Sequence, residues 1–144
     1  MTTWDVEDRL KALSEILEEL ASRDEDQVIL VEGAKDKGGL KLLGVEGEVV
    51  MVQTRDGIFG VAEQLAKERK RAIILTDWDR KGGQLCRLLK NALSANSVPY
   101  DDQTRTRLAK VSKGEIKDVE SLPSYFSRLV SQARIADGSG FLPR

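Results

Sequence analysis

The chain has no histidine, one cysteine, three prolines and only 5% aromatic residues among 144. Each shortage removes chemistry. Without histidine there is no imidazole base, no thiolate-imidazole pair and no zinc site of the usual kind. Cys86 alone cannot form an internal disulfide, and the expected location, from the lack of a signal-like start and of any membrane-span-length apolar run, is the cytoplasm. No apolar run approaches the length of about 18 residues that a membrane span requires, and no signal-like start is visible, so no membrane partner is expected. Charge is plentiful at 33%. Carboxylates must therefore carry most acid-base or metal chemistry.

The formal charge of −1 conceals an asymmetry. Residues 1–26 hold nine acidic and three basic side chains, whereas the remainder holds fifteen acidic and twenty basic. A basic body suits a polyanionic partner such as nucleic acid, although scattered solvated lysines would give the same totals. The length fits one domain, with about 70% of the unfolded surface buried on folding.

Val6, Leu10, Leu13, Leu17 and Leu20 recur at spacings of four and three, which predicts an amphipathic helix capped near Thr3 and ending around Ala21 to Ser22. Its apolar face either packs on the domain or offers self-association or a protein partner through residues 3–21. Fewer than three heptads favour packing. "SRDEDQ" reads as a polar connector. "VILVE" (Val28 to Glu32), "EVVMVQ" (Glu48 to Gln53) and "AIILT" (Ala72 to Thr76) are runs suited to strands covered on both faces. Between them lie a loop and short helix in "KDKGGLKLLG", stopped by Gly44, then a "TRDG" turn and a helix over 58–69. A further helix is expected over 84–94, with Leu85, Leu88, Leu89 and Ala92 inward. "RTRLAKV" reads as a fourth, edge strand, and "SLPSYFSRLVSQARI" as a last helix with Pro123 in its first turn. "DGSGFLPR" reads as a loose tail. Strand-helix alternation of this kind predicts an α/β fold: a mainly parallel four-stranded sheet flanked by helices. The expected divisions are a helix and connector (1–26), a domain (27–136) and a tail (137–144).

The first strand ends in Glu32 followed by Gly33; the third runs into Asp77 and Asp79. In parallel sheets ligands bind beyond the carboxyl ends of the strands, so neighbouring first and third strands would bring these acids together. Residues i and i+2 at an extended strand end face one way, which puts Asp77 and Asp79 on one side and Trp78 on the other. Such a pair suits Mg²⁺, with Mn²⁺ as a substitute, because Mg²⁺ takes oxygen ligands and needs only one or two carboxylates. Glycines 33, 38, 39, 82 and 83 would let backbone approach a phosphate, and Lys37, Arg80 and Lys81 would neutralise it. Taken singly, Asp-x-Asp before glycine is also a common helix cap, and Glu32 could pair with Lys35. Tyr100 and Tyr125 read as packing residues, neither having an activating base nearby in sequence.

Together these residues resemble the Toprim domain, shared by type IA topoisomerases, bacterial-type primases, the OLD nucleases, RecR and the ribonuclease that matures ribosomal RNA. "ILVEGAKD" (Ile29 to Asp36) resembles its glutamate motif and "IILTDWDRKG" (Ile73 to Gly82) its Asp-x-Asp motif. The whole is similar to a small stand-alone archaeal-type Toprim protein. The resemblance implies a Rossmann-like fold with adjacent first and third strands. It gives Glu32 the general acid/base role and Asp77 and Asp79 the Mg²⁺-binding role, with Asp36 an auxiliary acid. Lys81 stands where topoisomerases commonly carry another acid, and Asp118 or Glu120 could replace it, although capping before Pro123 is the preferred reading of both. Strand passage needs a gate domain, for which there is no room. The expected function is Mg²⁺-dependent action on nucleic-acid phosphodiester bonds, as a small ribonuclease-like hydrolase in RNA processing, with RNA favoured over DNA. The alternatives are a non-catalytic RNA-binding or adaptor module and a primase-like nucleotidyl transfer.

Overall fold

The computed structural model describes residues 4–137, with side chains to residue 135. The elements are α1 (Val6–Ala21), β1 (Gln27–Val31), α2 (Ala34–Leu42), β2 (Val49–Met51), α3 (Gly57–Lys67) and β3 (Arg71–Ile74). They are followed by α4 (Arg80–Ala95), β4 (Tyr100–Asp101), α5 (Gln103–Val111) and α6 (Leu122–Asp137). One sheet of four parallel strands has the order β2-β1-β3-β4.

The continuous aliphatic runs follow from this layering. Along β1, Ile29 and Val31 enter one apolar cluster while Val28 and Leu30 enter the other; Ile73 and Ala72 divide the same way in β3. Helices α1, α2, α5 and α6 supply the first cluster and α3 and α4 the second, so both sheet faces are covered. The apolar face of α1 is used inside the chain: Leu13, Ile16, Leu17 and Leu20 are all buried in the first cluster. Asp5, not Thr3, caps α1, its Oδ1 accepting the Asp8 N–H at 2.8 Å; Thr3 lies outside the described residues. The connector is tied down by Arg23, which donates to the carbonyls of Leu20, Gln27, Glu46 and Glu48, and by Arg71 paired with Asp24 and Asp26.

Three expectations change. The "KDKGG" segment is helical, and position 39 within α2 suits glycine because a Cβ there would stand 3.2 Å from the Val119 carbonyl oxygen. Helix α4 starts four residues before the expected Gln84, and Leu88 points outward at 55% exposure. "RTRLAKV" is not an edge strand but most of α5; β4 is only Tyr100–Asp101. The reason is a cap and a period. Asp101 Oδ1 accepts the Gln103 and Thr104 N–H groups, and Thr104, Leu108 and Val111 fall inward at helical spacing. Alternating charge over so short a run fits either period. The "DGSGFLPR" tail lies, past its first residue, outside the described residues. No described helix is long and apolar enough to cross a membrane.

Candidate metal centre

Strand order sets the site. Because β1 lies between β2 and β3, the chain leaving β1 at Glu32 runs beside Gln53 on one side and Asp77 on the other. The Gln53 N–H donates to the Glu32 carbonyl at 3.2 Å, and the Asp77 N–H donates to Glu32 Oε2 at 2.8 Å. Glu32 thus bridges the two motifs directly. Among the described residues it makes no ion pair with Lys35.

A cleft of about 350 Å³ opens here, lined by Glu32, Asp36, Gln53, Asp77, Asp118 and Glu120 together with residues 33–35. Asp36 is buried and doubly used: Oδ2 accepts the Gly33 N–H at 3.1 Å and Oδ1 the Glu120 N–H at 3.1 Å. It joins the start of α2 to the segment before α6. Asp118 Oδ1 accepts the Ser121 N–H at 2.9 Å, so capping and cleft lining are both true of it.

Asp77 is held under electrostatic stress. Its Oδ1 is buried with no hydrogen-bond partner among the described residues. Burial first, then the charges of Glu32, Asp36, Asp118 and Asp79, push its carboxyl up to about 7. An unpartnered buried oxygen facing several carboxylates fits a hard cation, whose charge would remove the repulsion. As placed, no three or more acidic or sulfur side chains among the described residues close into a ready ligand cage.

The other sequence-predicted residues are distributed around this centre. Asp79 is exposed and caps α4, its Oδ1 accepting the Gly82 N–H at 2.7 Å; it acts on Asp77 through charge but does not line the cleft. Asp77 and Asp79 therefore do not both line the cleft, while Trp78 packs on the first apolar cluster and donates its indole N–H to the Ile116 carbonyl at 3.0 Å. Lys37, Arg80 and Lys81 are exposed and outside the cleft lining. The N–H groups of Gly33, Gly82 and Gly83 are consumed internally, by Asp36, the Asp79 carboxylate and the Asp79 carbonyl. Gly82 has a stricter reason to be glycine: a Cβ would stand 1.8 Å from the Asp77 carbonyl oxygen. Arg105, which sequence reading missed, donates to the carbonyls of Thr76 and Asp77. No local motif marks it, and its role depends on α5 being a helix. Tyr125 is a packing residue at 1% exposure, whereas Tyr100 is 37% exposed on the edge strand.

A family profile described as the Toprim domain matches residues 27–111. A UPF0292 protein from Methanosarcina acetivorans is 37% identical over 129 residues, covering 89% of each chain. A UPF0292 protein from Methanocaldococcus jannaschii is 32% identical, covering 81% of this chain and 91% of its own. A solved structure of an Aquifex aeolicus protein superposes with a TM-score of 0.67 at 28% identity, covering 76% of this chain and 96% of that one. The chain belongs to the Toprim domain family, and with it to a class of metal-dependent, nucleic-acid-related function.

Proposed function

We propose that the protein is a Mg²⁺-dependent phosphodiester hydrolase of nucleic acid, most simply a small ribonuclease. The observation that carries this reading is the buried, unpartnered Oδ1 of Asp77 in a cleft shared with Glu32, Asp36 and Asp118. Asp77 and Asp79 would hold the cation, with Asp118 or Asp36 as the further carboxylate. A bound Mg²⁺, or Mn²⁺ in its place, supplies positive charge to a non-bridging phosphate oxygen. Glu32 is the proton-transfer group: its Oε2 accepts the Asp77 N–H, a bond in which Oε1 takes no part. Lys35, at the cleft, and the exposed Lys37, Arg80 and Lys81 would meet the flanking backbone phosphates.

Purified protein incubated with structured and single-stranded RNA and DNA, with and without Mg²⁺, tests the reading. Cleavage that requires Mg²⁺ and is lost in Glu32→Gln and Asp77→Asn supports it. Absence of cleavage on every substrate, or equal cleavage by those variants, removes catalysis at this site. A second reading, a non-catalytic RNA-binding or adaptor module, draws on the internal use of Glu32 Oε2 and Asp79 Oδ1 as structural acceptors. It expects salt-sensitive RNA binding without turnover.

A further inference from the structure

Beyond Leu75, whose N–H still pairs with the Leu30 carbonyl, β3 leaves the sheet and its backbone needs new partners. The loop obtains them from three directions. The Asp77 N–H goes to Glu32, the Trp78 N–H to the Lys117 carbonyl at 2.8 Å, and the Thr76 hydroxyl to the Gly82 carbonyl at 2.8 Å. The two carbonyls at the bend, Thr76 and Asp77, are both taken by the half-buried Arg105 of α5. Its Nε donates at 3.1 Å and its Nη2 at 2.7 Å. Among the described residues this guanidinium makes no ion pair, whereas Arg107 two positions on pairs with Glu19 at 2.7 Å. A planar fork with donors at fixed separation suits two successive carbonyls better than an ammonium does.

We propose that Arg105 is a positioning residue for the Asp77 carboxylate. By pinning the carbonyls of the two peptide links that flank the Asp77 Cα, it fixes the backbone from which that carboxylate enters the cleft and holds Asp79 at the start of α4. The assignment deepens the proposed cation site and rests on that reading only where metal is measured.

The test uses the full chain and two readouts. Amide hydrogen exchange without metal compares wild type, Arg105→Met, Arg105→Lys and Arg107→Met. In Arg105→Met the Asp77 and Gly82 amides exchange about tenfold faster while the Leu30 amide does not change, the ratio expected when one or two hydrogen bonds are lost locally. Arg105→Lys, keeping a donor, falls between, and Arg107→Met leaves both amides as in wild type. Unchanged Asp77 and Gly82 exchange in Arg105→Met, or an equal effect in Arg107→Met, overturns the assignment. Mn²⁺ titration followed by electron paramagnetic resonance adds the second readout, with binding by Arg105→Met weakened about tenfold. If wild type binds no Mn²⁺, the cation reading fails while exchange still decides Arg105. If wild type and Arg105→Met bind alike, the positioning role fails on its own.

Discussion

The carboxylate of Asp77 ionises only near pH 7, because it is buried and faces Glu32, Asp36, Asp118 and Asp79. The folded protein therefore holds this proton more tightly than the unfolded chain, whose aspartates titrate near 4. Its contribution to stability is complete below about pH 4 and is lost as pH rises through about 7. In chelator, the Tm should thus fall between about pH 4 and 8, and Asp77→Asn should flatten that slope. A parallel slope in the variant would mean other groups set it. Gly82 and Gly33 give a paired prediction at the same scale. Gly82→Ala, whose Cβ would strike Asp77 backbone, should cost about 3 kcal/mol in a urea titration. Gly33→Ala meets only the Gln53 side chain at 3.4 Å on extended backbone, and should stay within about 0.5 kcal/mol. Equal costs would contradict the packing described. At this scale Glu32 and Asp77 are legible because each follows a recognisable strand end, whereas Asp36, inside α2, is singled out only by the family resemblance. It could not decide between cap and ligand for Asp79 and Asp118, since one carboxylate has two oxygens and can contribute to both. It missed Arg105 because backbone carbonyls leave no trace in the residue types that satisfy them.

Among the elements, the first three strands are the most legible, because a buried parallel strand must be apolar on both faces. The starts of α2 and α4 are obscured because Gly-Gly reads as loop; both pairs lie inside helices, and Gly39 and Gly82 serve close backbone packing. Residues 105–111, which read as an edge strand, belong to α5. Its helical state makes a sharp prediction: Arg107→Pro, five residues into α5, should cost about 3 kcal/mol and be visible as lost helix in far-UV circular dichroism. An edge strand would tolerate that proline with little loss. For α1, Leu13 is fully buried against the domain, so Leu13→Ala should lower stability by about 2–5 kcal/mol in the same urea titration. A change below about 0.5 kcal/mol would mean that the helix folds apart from the sheet and is available to another chain.

Over the whole molecule, the two motifs are 45 residues apart, taking Glu32 and Asp77, and only the β1–β3 pairing makes them one site. The segment after residue 111, past the stretch that matches the family, completes it from the other side through Ile116, Lys117, Asp118 and Glu120. The basic body gives a further expectation. If RNA lies across the cleft and the start of α4, removing Arg80 and Lys81 should lower the slope of log affinity against log salt by about 1 each, measured by fluorescence anisotropy. An unchanged slope would place the nucleic acid elsewhere. Cation binding in the cleft around Asp77 does not depend on which nucleic acid is bound, and calorimetric titration of Mn²⁺ into wild type and Asp77→Asn at pH 8 measures it by itself. Saturable binding by wild type that weakens at least about tenfold in the variant is the predicted result; no binding by wild type, or equal binding by both, would contradict it.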